Sequence, residues 1–432
     1  MPPAPRVAVE VWSPLPPQAS GIADYVEEQL GFLEREIDIT LVSDRSAQVE
    51  PRLRQRYRAI APALSDPSAL RLYHLGNSPL HEFIYREAMR VPGVVVLHEW
   101  NLHELLLGMA VTSGDFDDYR RQMRREHGER GAVAAGTIEK TLGLQHWTSV
   151  FPLNAAILER SLALVCLSGS TAARAAARSP GTPVLHLPHH ALLKANTADR
   201  GAARKRLGLG EGERVVLAPG LGTSSKSLEV ARAAVASLQG RIADLSLITV
   251  GGAEGGPKTP RDLGRVDLET LGDAILAADI VLALRFPSRG EVSGVAMRAL
   301  AAGRALIVSS GSTADEDLPE GVVARVHPGP AETRELAALL EFLLSDEDAR
   351  VRMERLSLAT ASTRDVSSLS ANLSAFLREV ASDRAALGSR VLSRQARMSG
   401  VRPRIQTEVE AALASVGLFQ LPPSVFERLV DL

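Results

Sequence analysis

Arg214-Val-Val-Leu-Ala-Pro-Gly-Leu-Gly-Thr-Ser-Ser-Lys-Ser227 decides how the whole chain is read. An apolar run ends in a glycine-rich loop, and helical periodicity follows over Ser227–Leu238. Such a run, apolar at every position and followed by a helix-length segment, predicts a parallel strand buried on both faces. Moving outward, the same alternation predicts strands at Arg214–Leu217, Leu245–Val250, Ile280–Leu284 and Leu306–Ser309, with helices at Leu268–Ala277 and Val292–Ala302. Upstream, strands are expected at Val7–Val11, Ile39–Val42, Arg71–Leu75, Val94–Leu97, Leu162–Leu167 and Val184–Leu187, and helices at Ala23–Leu33, Leu80–Arg90 and Asp117–Arg130. The implied fold class is α/β: two facing, Rossmann-like, doubly wound domains with a cleft between them, joined near Ala191–Leu207. Residues 1–190 and 191–360 form these domains. Ser345–Leu377 is mostly helical, and residues 388–432 read as a peripheral helical tail.

A length of 432 residues suits two or three domains, each with its own core. The 49 Lys and Arg nearly balance the 51 Asp and Glu, for a net charge of −2, so nucleic acid is not an expected partner. The single cysteine, Cys166, excludes a disulfide framework and any multi-cysteine zinc or iron–sulfur site. Met1–Arg6 lacks a signal-peptide pattern and no run of about 18 apolar residues occurs, so a soluble, cytoplasmic protein is expected.

The loop Ala218–Ser227 joins a strand to a helix. Backbone N–H groups and the positive end of the helix dipole suit a phosphate there, and Lys226 adds a point charge. The string is one residue from a Walker A loop, with Ser225 where the second glycine belongs. The magnesium-binding Asp of such a site is missing, since Leu245–Val250 ends in glycines and Ile280–Leu284 in Arg285. A plain surface turn is the competing interpretation.

Leu284-Arg-Phe-Pro-Ser-Arg-Gly-Glu-Val-Ser-Gly294 repeats the arrangement one strand on. Ser293 and Gly294 would offer N–H groups at a helix start, and Arg285 and Arg289 match phosphate in a forked geometry. Glu291 is costly beside phosphates unless it holds something else, such as sugar hydroxyls; otherwise it is a helix-favouring acid of the first turn. Two phosphate-type loops at strand C-termini of one α/β domain favour the ligand interpretation.

In the first block, Gly21 follows strand one and permits close backbone approach to a ligand. His98 ends the strand Val94–Leu97, where it can hydrogen-bond a substrate or cap the structure. The sequence His98-Glu-Trp-Asn-Leu-His103 spaces its histidines by five, which diverge by about 140° on a helix and do not make a zincin site. His74-Leu-Gly-Asn77 closes another strand at the same edge, with structural and ligand roles equally open. His186, His189 and His190 lack nearby carboxylates and read as a crossover loop, not a metal site; no metal is expected. Arg52, Arg54, Arg56 and Arg58, like Arg120, Arg121, Arg124 and Arg125, read as solvated faces, with peripheral membrane docking at the inner face as the minor alternative.

These residues resemble the retaining glycosyltransferases of family 4, which have the GT-B fold, over roughly Val7–Leu377. Pro16-Pro17 through Ser20-Gly21-Ile22-Ala23 looks like the glycine loop beneath the donor phosphates. Val94–His98 looks like the strand whose histidine lies near the transferred sugar. Ser168-Gly-Ser170 resembles the start of the crossing between domains, and Gly220, Gly222 and Lys226 the loop that binds the diphosphate. Gly264-Arg265-Val266 resembles the turn that contacts the base. Ala278-Asp279 through Glu291 to Gly303 resembles the donor-site strand, loop and helix, and residues 361–387 the helix that crosses back. Two departures stand out. Leu221 holds the place of an arginine, and the second of two paired glutamates is missing, Ala299 or Arg298 standing there depending on the count. Arg285 is expected to replace the lost phosphate contact.

The resemblance implies transfer of a sugar from a nucleotide diphosphate sugar to an acceptor hydroxyl with retained configuration, without metal or cofactor. Glu291, His98 and Lys226 are then the catalytic residues. Gly21, Gly220, Gly222, Lys226, Val266, Arg285, Glu291, Val292, Ser293 and Gly294 bind the donor. His74, Asn77 and Asn101 face the acceptor, which is a glycan, a lipid-linked molecule or a small molecule. A sugar-nucleotide epimerase, a phosphorylase, and a non-catalytic sugar-nucleotide-binding or scaffold protein are the alternatives.

Overall fold

The structure, a computed structural model, describes residues 6–141, 145–219, 228–251 and 261–395. Lys226, Gly220 and Gly222, and the tail from residue 396, lie outside them. The chain divides into two compact units. One comprises the chain up to Leu167, Thr171–Leu187 and the chain from Ala371; the other comprises Ser168–Ser170 and Pro188–Ser370.

The first unit is built on β1 (Val7–Trp12), β2 (Ile37–Val42), β3 (Arg58–Ile60), β4 (Leu70–Leu75), β5 (Val94–Leu97), β6 (Ala163–Cys166) and β7 (Val184–His186). They form one seven-stranded sheet in the order β3-β2-β1-β4-β5-β6-β7, paired in parallel throughout. β4, β5 and β6 are buried at every position, as strands covered on both faces must be. The strand order reverses between β1 and β4, and a doubly wound sheet binds ligands at the C-terminal ends of the strands flanking such a reversal.

The second unit has β8 (Arg214–Pro219), β9 (Leu245–Val250), β10 (Ile280–Ala283), β11 (Ala305–Ser309) and β12 (Val323–Val326) in the order β12-β11-β10-β8-β9, again all parallel. Here the reversal lies between β8 and β10. The two loops singled out as phosphate-binding leave those two strands.

The helix expected over Asp117–Arg130 extends over Phe116–Thr141 and is broken at Gly128, which takes φ 61° and ψ −151°. That backbone is open to glycine and strained for other residues. Of the tail, only the beginning lies within the described residues, and it packs on the first unit. Residues 384–395 are helical, Val391 is buried, and Arg394 donates to the carbonyl of Ser161 at 2.8 Å and the hydroxyl of Thr182 at 2.6 Å.

Helix Leu268–Ala277 packs directly on main chain of the segment leading into the second unit. A Cβ on Gly272 would fall 1.8 Å from the carbonyl oxygen of Lys194, while Asp273 one residue on accepts from the backbone N–H of Asn196 at 2.9 Å. Gly272→Ala must therefore separate the two elements. The expected cost is at the upper end of, or beyond, the roughly 1–3 kcal/mol of overpacking, read as a lowered urea midpoint; an unchanged midpoint would show that the contact is not tight.

Candidate functional site

The loop leaving β10 is fixed at both ends. The Arg285 backbone N–H donates to the Ser309 hydroxyl at the end of β11 (2.9 Å), and Ser293 caps helix Gly294–Ala301 by accepting from the Ala296 N–H at 3.3 Å. Gly290 turns the chain between them with φ 77°. This places Glu291 in the interior, 8% exposed, with one carboxylate oxygen 2.7 Å from the Arg285 guanidinium and the other accepting from the Arg289 backbone N–H at 2.6 Å. Arg285 and Glu291, expected to contact phosphate and sugar separately, are joined in the structure as an ion pair. Val292 packs against the core, and the first turn of the helix presents N–H groups with no intrahelical acceptor.

Beneath that turn lies positive charge that the sequence did not reveal. A Cβ on Gly294 would stand 3.1 Å from the Arg298 guanidinium and 4.0 Å from Nε2 of His189. Burial first, then His190, Arg298 and Arg364, hold His189 well below the usual histidine range, so it is neutral. Arg298, one of the two residues that can stand at the missing second glutamate, is thus a buried arginine beside the helix start. Its place one turn inside the helix was readable, but its convergence with His189, over a hundred residues earlier, was not. Val266 lies just before Asp267, the N-cap of Leu268–Ala277, and is packed against the same core.

In the first unit, the C-terminal ends of β4 and β5 bring His74 and His98 together, with Nδ1 of His74 3.0 Å from Nε2 of His98. Tyr25 sets its ring edge-on to His98, 5.0 Å between centroids, and Gln29 donates to its hydroxyl at 3.0 Å. Gly21 begins the helix that carries Tyr25, and a Cβ there would meet nothing within 4 Å, so ligand backbone approach is open. Of the two asparagines expected on the acceptor side, Asn101 has its amide engaged by local backbone, whereas the Asn77 side chain is held through its oxygen alone and its buried Nδ2 has no hydrogen-bond partner. Asn101 donates to the Thr148 carbonyl at 2.6 Å and accepts from the His103 N–H at 2.8 Å, while Asn77 accepts from the Leu105 N–H at 3.1 Å. His74, 1% exposed, likewise meets protein and not solvent.

Among the described residues, no group of three His, Cys, Asp or Glu side chains is arranged to hold a metal ion, which includes His186, His189 and His190. No described helix is long and apolar enough to cross a membrane. Six of the clustered arginines are ion-paired: Arg120 with Asp117 and Glu139, Arg121 with Asp118, Arg124 with Glu129, Arg125 with Glu159, Arg52 with Glu27 and Arg56 with Glu34, while Arg54 donates to the Val49 carbonyl.

His74 and His81 make stability pH-dependent. Burial lowers His74 from 6.5 to about 3, helped by His81, and burial lowers His81 to about 4. Between pH 6.5 and 4 the unfolded chain binds protons that the folded one refuses, so stability falls as pH falls across that window. With both sites titrating, their joint contribution approaches roughly 2.7 kcal/mol per pH unit, about half of which is opposed between pH 7 and 4.5 by Glu126, whose carboxyl burial raises from 4.5 to about 7. Urea midpoints from pH 7 to 4 should show the remainder, and His81→Gln should remove about half of the joint contribution; an identical slope in that variant would contradict the assignment.

No protein-family model matches the sequence, and no curated protein matches it. Solved structures share its fold. Sucrose-phosphate synthase from Thermosynechococcus elongatus aligns with a TM-score of 0.61 at 15% identity, covering 87% of this chain and 99% of that one. HepE from Anabaena, solved with UDP and glucose, gives 0.58 at 14% identity, with 86% and 100% covered. WaaG, a glycosyltransferase involved in lipopolysaccharide biosynthesis, gives 0.53 at 14%, with 86% and 99% covered. The fold class is therefore GT-B, that of glycosyltransferases, with two α/β domains each on a parallel sheet.

Proposed function

We propose that this chain is a glycosyltransferase of the family 4 type, moving a sugar from a nucleotide diphosphate sugar to an acceptor hydroxyl with retained configuration. The observation that carries the proposal is the loop Arg285–Gly294: guanidinium, carboxylate and helix start gathered at the strand-order reversal of the second unit. A fold shared with HepE, whose structure contains UDP and glucose, supports a nucleotide sugar as donor. In this mechanism the barrier is separation of a positive sugar from a departing diphosphate. Arg285, Lys226 and the N–H groups at the start of helix Gly294–Ala301 stabilise that leaving charge. Glu291 holds sugar hydroxyls, His98 orients the sugar, Gly21 admits the phosphates and Val266 meets the base. The leaving phosphate oxygen takes the acceptor proton on the same face, so neither a carboxylate nucleophile nor a metal ion is needed.

A panel of nucleotide sugars scanned by thermal shift tests donor binding, because a ligand at 100 times its Kd adds about 2.7 kcal/mol of stability. No shift with any of them would end the proposal. A non-catalytic sugar-nucleotide binder is favoured by one observation: both Glu291 oxygens are already engaged within their own loop. Slow release of nucleoside diphosphate without acceptor separates the two, since a binder releases none.

A further inference from the structure

We propose that His74 is a positioning residue that fixes the tautomer of His98, leaving the His98 proton on Nδ1. The consequence for catalysis rests on His98 facing the sugar, as proposed above; the tautomer is a property of the first unit alone.

The histidine protons can be counted from the contacts. His81 approaches the carbonyl of His74 with Nδ1 at 3.0 Å. A carbonyl only accepts, so His81 carries its proton on Nδ1. Between His74 Nδ1 and His98 Nε2, 3.0 Å apart, there is room for one proton. If His98 supplied it, His74 would bear its own proton on Nε2. That nitrogen is buried and has no hydrogen-bond partner. An orphaned buried N–H is rare in folded proteins, and an imidazolium at His98 would force the same orphan. If His74 donates through Nδ1, its Nε2 is a bare lone pair and no donor is stranded. His98 then accepts at Nε2 and is N–H at Nδ1.

The surroundings hold the pair in register. The Tyr25 ring lies edge-on to His98 and 6.2 Å from His74. The turn after β4 packs closely on its neighbours: a Cβ at Gly76 would fall 2.4 Å from Ile22 Cδ1 and 3.0 Å from His81 Nε2. His98 so arranged carries N–H, not a lone pair, at Nδ1 and is no general base in the resting protein. That fits a reaction in which the leaving group takes the acceptor proton.

Protein labelled with ¹⁵N-histidine reports the tautomer directly by long-range proton–nitrogen correlation. The expected His98 spectrum has a protonated Nδ1 and a bare Nε2; the opposite pattern overturns the proposal whatever the activity. His74→Gln can still donate to His98 and should retain the tautomer, with turnover within about threefold. His74→Glu can only accept when ionised, should move the His98 proton to Nε2, and should lower kcat by roughly tenfold or more with donor KM little changed. If His74→Glu fails to fold, the unsubstituted protein's spectrum still decides. A correct tautomer together with full activity in both His74→Glu and His98→Ala would leave the positioning intact and remove His98 from the sugar.

Discussion

Replacing Glu291 by alanine should slow sugar transfer at least about a hundredfold, the effect of losing roughly 3 kcal/mol of transition-state stabilisation. Affinity for the free nucleoside diphosphate should stay level or tighten. The reason lies in the pair with Arg285. At 2.7 Å, Glu291 cancels much of the charge that Arg285 would show a diphosphate, and its own loop holds it through the Arg289 N–H. Without the carboxylate, that guanidinium is released toward phosphate while the sugar loses its anchor. Arg285→Ala should do the reverse, weakening donor and nucleotide binding together and leaving Glu291 without its cation. Calorimetry with nucleoside diphosphate, beside kcat and donor KM, distinguishes these patterns. Wild-type turnover in Glu291→Ala would strike that residue from the site; parallel loss of nucleotide affinity in both variants would mean the pair merely shapes the loop.

That pair also shows where sequence reading stops. β5 at Val94–Leu97, β9 at Leu245–Val250 and the helix Leu268–Ala277 occur with the residues expected, because β5 is buried throughout, β9 in its second half and the helix over Gly272–Ala277, and each is bounded by Gly, Pro or a capping Asp. β3 at Arg58–Ile60 and β12 at Val323–Val326 were not expected. Both lie at sheet edges, half-exposed, and carry arginine where central strands are apolar. An edge position alone does not hide a strand, since β7 and β9 are edge strands too and are readable from their apolar runs; in β3 and β12 a short run containing arginine leaves no such pattern. The two candidate loops were legible from the strand-to-helix pattern alone, whereas their place beside a reversal follows from strand order, which the sequence does not provide. The contacts of the site were not legible: His74 meets His98 from 24 residues away, and Gly294 meets His189 across a much longer separation. Asn77 and Asn101 sit near strand ends as ligand residues do, yet the Asn101 amide is committed to neighbouring backbone and that of Asn77 only through its oxygen, its Nδ2 being buried without a partner, which only coordinates reveal.

Arg71→Met should destabilise the first unit by about 3–5 kcal/mol, the usual cost of removing one partner of a buried charge cluster. Arg71 is 4% exposed and stands opposite Glu10, 2% exposed, in the β1–β4 register. Its guanidinium meets Glu87 at 2.5 Å and the Ser65 hydroxyl at 2.9 Å, lies 3.8 Å from Glu10, and is 5.7 Å from the Trp12 ring. Glu10 is otherwise held by the Ser65 hydroxyl and the Asp66 N–H, both at 2.6 Å, and by the Trp12 indole at 3.3 Å. Those neutral donors soften the loss of the cation but leave a buried carboxylate without a counter-charge. Glu10→Gln should therefore cost less than Arg71→Met, and adding it to Arg71→Met should recover part of the loss, with coupling of roughly 1–3 kcal/mol. Trp12 fluorescence during urea unfolding reads the first unit from within the cluster. A cost below about 1 kcal/mol for Arg71→Met would mean that water relaxes the charge as it does for surface pairs. Additive single variants would show that Glu10 and Arg71 are neighbours in register without being partners in energy.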